Sequence, residues 1–137
     1  MNRKSKFVAG LLGTICVMGC VPEQMYNFEN YSETLYTFAK NQNDETRLNH
    51  RHELEKIITE SETKSRPVPP GIYAELGYIK LQMNEQPQEA INLFQAESRL
   101  YPESRHFMER LIIRAQAKEE AGSKVSNLTT SKETLSN

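Results

Sequence analysis

Histidine is the first residue type in this chain that could bind a metal ion. His50 and His52 are two positions apart, and on a helix such side chains point about 200° from each other. They therefore cannot share one ion in the way that metal-ligand spacing requires. His106 is remote from both in the sequence. We predict no metal site and expect three solvated histidines.

Carboxylates are the next candidates, because a pair of them can perform acid–base catalysis. Four glutamates fall in one segment, but basic residues alternate with them, which is typical of a solvated helix face with charge pairs three and four positions apart. This set comprises Glu53, Glu55, Glu60, Glu62, Lys56 and Lys64. We also find no serine or cysteine nucleophile in an ordered context and no phosphate-binding loop. The sequence therefore predicts no catalytic residue and no cofactor.

Cysteine occurs only near the N-terminus, at Cys16 and Cys20. Basic residues in 2–6 precede an apolar segment, 7–18, which has the length of a secretory h-region and is too short to span a bilayer. It ends in Val17-Met18-Gly19-Cys20, which resembles the lipobox of bacterial lipoprotein signals. This resemblance implies a signal peptide at 1–19, cleavage before Cys20 and a lipid anchor on Cys20. A plain secretory signal with a chance cysteine, or a buried apolar element, would be the alternative.

The residue after Cys20 bears on location. In lipoproteins of this type, Val21 in place of Asp permits transfer from the inner to the outer membrane. We therefore expect a lipid-anchored protein of the bacterial outer membrane that faces the periplasm.

Length and charge limit what the rest of the chain can be. The 137 residues allow one domain, and 37% of them are apolar, below the roughly 45–50% of average globular domains. The formal net charge is −1, and loss of 1–19, with three basic and no acidic residues, would bring it to −4. This sign disfavours binding to nucleic acid or to anionic lipid surfaces through charge alone.

The periodicity of apolar residues predicts an all-α fold of about five short helices. A lipidated tether (20–29) would precede a helical domain (30–122) and a disordered tail (123–137). Asn30 with Glu33 has the form of a capping box for the first helix, and the second would span about 45–62. The third would start at Pro70-Gly71, the fourth would stop at Pro102, and the fifth would run from about Ser104 to near Gly122. The expected core positions include Leu48, Leu54, Ile57, Ile72, Leu76, Ile79, Ala90, Phe94, Phe107, Met108 and Ala115.

The third and fourth helices resemble one tetratricopeptide repeat. The repeat's order of aromatic, Leu-Gly, Ala, aromatic and Pro is matched by Tyr73, Leu76, Gly77, Ala90, Phe94 and Pro102. Gly77 would let the paired helix approach, Ala90 would lie at the closest crossing, and Phe94 would fill the gap. One extra residue between Gly77 and Ala90, and Lys80 where Tyr is usual, depart from the pattern. A single repeat cannot bury its own face, so the other helices must complete the core.

A closer resemblance covers roughly Cys20 to Arg114. The segments that carry it are 26–31, Leu35-Tyr36, the Pro-rich run 66–78, Tyr101–Ser104 and 107–112. They resemble a family of small bacterial lipoproteins of unknown function with tetratricopeptide-like helices. Members are often encoded beside a lipoprotein similar to the curli secretion pore subunit and beside a second small lipoprotein. The resemblance implies an accessory of export or surface assembly.

These observations lead to a non-enzymatic adaptor that binds another envelope protein. Its groove would present Ala74, Tyr78, Leu81 and Gln82, although Tyr78 and Leu81 could instead pack on the paired helix. An aromatic cluster of Tyr26, Phe28, Tyr31 and Tyr36 would be core or a second partner surface. The resemblance suggests a curli-pore-like lipoprotein as the partner. A pilotin, a regulator of a cell-wall synthase, self-association, and a periplasmic metal carrier or enzyme are the alternatives.

Overall fold

A computed structural model describes residues 25–134. Within this part of the chain the fold is all-α and contains no strand. The helices are α1 (Tyr31–Lys40), α2 (Asp44–Thr63), α3 (Ile72–Gln82), α4 (Pro87–Leu100) and α5 (Arg105–Thr134), with a short 3-10 turn at Pro102–Ser104. The predicted fold class of about five helices is confirmed. The signal peptide predicted at 1–19 and the lipidation predicted at Cys20 lie outside the described residues.

Each described helix packs mainly on its neighbours in the chain, and the apolar core has two parts. The first lies between α2, α3 and the proline-rich loop that joins them, and it contains Leu54, Ile57, Val68, Ile72, Leu76 and Ile79. The second lies between the end of α3, α4 and α5, and it contains Leu81, Ala90, Ile91, Phe94, Met108 and Ala115. Since α3 contributes to both parts of the core, it is the central helix of the fold. By contrast, α1 has no fully buried residue.

The α3–α4 hairpin is closely packed at the crossing that the sequence predicted. A Cβ atom at Gly77 would lie 2.7 Å from Phe94 Cε1 and 3.2 Å from the Ala90 carbonyl oxygen. Ala90 and Phe94 are fully buried. Only glycine fits at position 77, because any side chain there would collide with the ring of Phe94.

Helix starts differ from the prediction. Asn30 forms no side-chain cap on α1, so the capping box with Glu33 is wrong. The capping box of this protein is at the start of α2, where Asn43 Oδ1 accepts from the Thr46 N–H at 2.9 Å. Thr46 Oγ1 in turn accepts from the Asn43 N–H. Asn30 differs because its backbone, with φ −95° and ψ 20°, does not aim its side chain at the first turn.

Neither α1 nor α3 has a side-chain cap at its start. In each case a glutamate from the following helix accepts a backbone hydrogen bond there instead. The Glu53 carboxylate of α2 accepts from the Asn30 N–H at 2.8 Å. The Glu97 carboxylate of α4 accepts from the Gly71 N–H at 2.7 Å. Burial raises the pKa of Glu97, and the hydrogen bonds from backbone N–H groups at the start of α3 oppose that rise. Glu53 is buried as well, so it does not belong to the solvated helix face that the sequence predicted for it.

The fifth helix continues to Thr134 rather than ending near Gly122. No proline follows Gly122, and a glycine inside a helix costs only about 1 kcal/mol, so nothing interrupts the hydrogen-bond ladder there. The tail predicted at 123–137 thus overlaps the end of α5 up to Thr134, and 135–137 lie outside the described residues.

Two residues expected in the core are exposed. Leu48 on α2 and Phe107 on α5 face solvent, whereas the remaining core positions named above are buried. Periodicity fixes the angle of a side chain on its helix, but the width of the buried face depends on how many neighbours cover it. The neighbours of α2 and α5 cover a narrower face than we predicted.

Candidate binding groove

Two open clefts adjoin each other along α3, and Tyr78 and Gln82 form the ridge between them. The α5-side cleft has a volume of about 390 Å³ and is lined by Leu81, Arg114 and Lys118 besides the ridge. The α1-side cleft has a volume of about 350 Å³ and is lined by Phe38, Gln42, Arg47, Glu75 and Ile79 besides the ridge. We call the two clefts together the Tyr78 groove.

Three of the four predicted groove residues meet in this groove. Tyr78 is 40% exposed and Gln82 is exposed, so both are available at the ridge. Leu81 is buried, but its side chain forms part of the wall of the α5-side cleft. Ala74 lines neither cleft and packs against the second part of the core instead. Ala74 lies one turn nearer the start of α3 than Tyr78, outside both clefts.

The walls of the groove carry three basic side chains that belong to no motif of the sequence. Lys118 Nζ donates a hydrogen bond to the Leu81 carbonyl oxygen near the end of α3. Arg47 Nη1 pairs with Asp44 at 2.9 Å, and its Nε is buried with no hydrogen-bond partner. Arg114 is exposed and makes no hydrogen bond or ion pair within the described part of the chain. Only the tertiary structure brings α2, α3 and α5 together, so no local sequence signal could have found this set.

One wall of the groove is fixed by a buried polar network. His50 is fully buried, its Nε2 lies 3.0 Å from Glu75 Oε1, and its Nδ1 lies 2.9 Å from Thr34 Oγ1. The Tyr31 hydroxyl donates to Glu75 Oε2 at 2.8 Å, and burial together with this bond raises the pKa of Tyr31 to about 12. The network joins α1, α2 and α3, and it holds the Glu75 carboxylate that lines the α1-side cleft.

The expectation of three solvated histidines is therefore wrong for His50. His52 and His106 are exposed, as predicted. A histidine in a charged, weakly apolar segment gives no sign of burial, because its partners Thr34 and Glu75 come from other helices. Among the residues that the structure describes, no group of three or more His, Cys, Asp or Glu side chains is placed to hold a metal ion.

The aromatic cluster forms in part. The rings of Tyr26, Phe28 and Tyr31 make a chain of contacts with centroid distances of 6.3 and 5.9 Å. It continues to His50 at 5.6 Å, and Phe38 stacks on the other side of that imidazole at 5.9 Å. Tyr36 does not join, since it is 66% exposed and its ring contacts Lys40. The cluster is thus partly core, with Phe28 at its exposed edge.

The described end of the predicted tether is bound to α2. Asn27 Nδ2 donates to Glu60 Oε2 at 3.2 Å, and Lys56 pairs with Glu29 at 3.2 Å. Hydrogen bonds from Asn27 and then from Lys56 lower the pKa of Glu29 to about 2. These contacts dock 27–29 on the helical domain.

Ion pairs outside the groove also join α2, α3 and α4. Arg51 of α2 pairs with Glu55 and with Glu85, which lies in the α3–α4 turn. Lys80 of α3 pairs with Glu85 at 3.1 Å and with Glu89 of α4 at 2.9 Å. Lys80 therefore forms ion pairs at the position where the repeat pattern usually has Tyr.

Together, fold and groove define a small protein of consecutive packed helices with an open groove on its central helix. Residues 25–111 match the protein family described as a domain of unknown function (DUF4810). The match covers more than half of the chain, and the chain therefore belongs to this family. No curated protein and no solved structure matches it. No helix among residues 25–134 is both long and apolar enough to cross a lipid bilayer.

Proposed function

We propose that this protein is a non-enzymatic adaptor of the bacterial envelope that binds another protein through the Tyr78 groove. The observation that carries the proposal is the groove itself, an open surface with an exposed tyrosine between two clefts. Tyrosine is enriched among the residues that dominate binding energy at protein interfaces. Cleft walls supplied by α1, α2, α3 and α5 would hold that tyrosine in place before a partner arrives.

The repeat class is part of the proposal. The close approach of Gly77, Ala90 and Phe94 supports a tetratricopeptide-like hairpin formed by α3 and α4. In arrays of such hairpins the first helix of each pair lines the concave binding face, and α3 is that helix here. The α1–α2 hairpin would be a degenerate preceding repeat, and α5 would cap the row.

The proposed location is the inner leaflet of the outer membrane, with Cys20 as the lipid anchor. The lipobox-like segment supports it, and several acyl chains on one residue are enough for stable anchoring. We expect Cys20→Ala protein to disappear from the outer-membrane fraction, whereas Cys16→Ala protein remains there. Retention of the Cys20→Ala variant in that fraction would contradict the anchor.

The proposed partners are a curli-pore-like lipoprotein and a second small lipoprotein, which the family resemblance suggests. A photoreactive residue at position 78, introduced in intact cells, should form one main adduct that mass spectrometry can identify. The matched control is the same residue at position 36, which is more exposed and lines neither cleft. A cell-wall synthase in the adduct would instead favour the regulator, and a pilotin's secretion pore would favour that role.

Adducts only between copies of this chain, or none at position 78, would contradict binding of another protein in the groove. The partner surface would then be sought at the aromatic cluster, where Phe28 is exposed.

A further inference from the structure

The charges of the Tyr78 groove differ from those of the whole chain. The chain has a formal net charge of −1, yet three basic side chains and one acidic side chain line the groove. The acidic one, Glu75, is already bound to His50 and to the Tyr31 hydroxyl. The groove is therefore a basic surface on a slightly acidic protein.

The basic side chains are available to a ligand to different degrees. Arg114 has no hydrogen-bond or ion-pair partner in the described part of the chain. Among the described residues, Arg47 pairs only with Asp44, whose side chain is 92% exposed. Exposed ion pairs contribute little to stability, so a ligand carboxylate can replace that of Asp44 at little cost. Arginine also matches a carboxylate with two parallel hydrogen bonds.

The arrangement of the two clefts favours an extended ligand. Arg47 lines one cleft and Arg114 the other, and the ridge of Tyr78 and Gln82 separates them. A ligand that contacts both arginines has to cross this ridge, which a small anion cannot do. An extended peptide can, and its backbone groups would find the Gln82 amide, which both donates and accepts hydrogen bonds.

On these grounds we infer that the Tyr78 groove takes an extended acidic segment of a partner protein. Carboxylates of the segment pair with Arg114 and Arg47, and an apolar or aromatic side chain between them packs on Tyr78. This inference rests on the proposed function and adds the chemical class of the bound segment.

The test uses the full chain in intact cells, with the photoreactive residue at position 78 and sequencing of the crosslinked partner peptide. We expect a peptide rich in Asp and Glu. We also expect Arg114→Glu to reduce the adduct about fivefold, because it removes an attractive ion pair and places a like charge beside the acidic segment. Arg114→Lys should retain most of the adduct. The control is Arg105→Glu, the same charge change on an exposed residue half a helical rotation away on α5.

The possible failures are distinct. A neutral or basic crosslinked peptide, or equal adduct yields for Arg114→Glu and Arg105→Glu, would overturn the acidic segment while leaving the groove as a binding site. An adduct with a second copy of this chain would overturn the inference as well. If position 78 gives no adduct, both the inference and the proposed use of the groove fail.

Discussion

The α1–α2 and α3–α4 hairpins have the same connectivity but are held together by different interactions. At the α3–α4 crossing, Gly77, Ala90 and Phe94 fit by shape. At the α1–α2 junction, buried His50 bonds to Thr34, and α1 itself buries no residue completely. Packing by shape leaves a signature in residue sizes, whereas a polar junction depends on partners that are far apart in the sequence. The packing of the α3–α4 hairpin can therefore be predicted from the sequence, whereas that of the α1–α2 hairpin cannot.

The strongest way to break the α3–α4 hairpin is Phe94→Ala. Removing a fully buried ring leaves a cavity between α3 and α4, and such changes cost about 3–5 kcal/mol. Urea unfolding followed by circular dichroism would measure the loss. Leu100→Ala on the same helix removes an exposed side chain and should cost far less. Similar losses for both variants would contradict the close-packed crossing.

The corresponding change in the α1–α2 hairpin is His50→Leu. It removes the hydrogen bonds of His50 to Thr34 Oγ1 and Glu75 Oε1, and each such bond contributes about 0.5–1.5 kcal/mol to stability. The same unfolding experiment should show a loss of about 2 kcal/mol. His52→Leu, on the exposed side of the same helix, serves as the control. If both histidine variants unfold alike, the buried network does not stabilise this hairpin.

A pair of glycine variants sharpens the comparison. At an open helical site Gly→Ala stabilises by about 0.5–1 kcal/mol, and Gly122 is such a site because nothing lies within 4 Å of an added Cβ. At Gly77 the added Cβ meets the Phe94 ring, and we expect a loss of about 1–2 kcal/mol. Thermal unfolding should therefore shift in opposite directions for the two variants. A stabilising Gly77→Ala would show that the helices can separate freely.

The smallest effect concerns the helix starts of the α1–α2 hairpin. Asn43→Ala removes the side-chain half of the α2 capping box and should cost about 1 kcal/mol. Asn30→Ala should change stability by less than about 0.5 kcal/mol, because the Asn30 side chain caps nothing and its N–H still reaches Glu53. Unfolding midpoints would distinguish the two. A larger loss of stability for Asn30→Ala than for Asn43→Ala would instead support the capping box that the sequence predicted at Asn30.

Local signals in the sequence were sufficient for the all-α class, the α3–α4 crossing and most of the core. Gly77 with Ala90 and Phe94 could be interpreted because helical spacing fixes which sizes meet. Tyr78, Leu81 and Gln82 follow from the register of α3 alone. His50, Arg47 and Arg114 could not be predicted, since their roles depend on side chains from other helices. The end of α5 was missed because a single glycine is a weak stop signal.

The consecutive packing of the described helices also has a consequence for the kinetics of folding. Helices that contact mainly their neighbours in the chain have a low contact order, and such proteins fold within microseconds to milliseconds. In a row of this kind the ends open before the centre. Amide hydrogens of α1, which has no completely buried side chain, should therefore exchange with solvent sooner than those of α3. Tyr78 and Gln82 lie on α3, so the ridge of the groove should stay folded when the α1 wall of the groove opens.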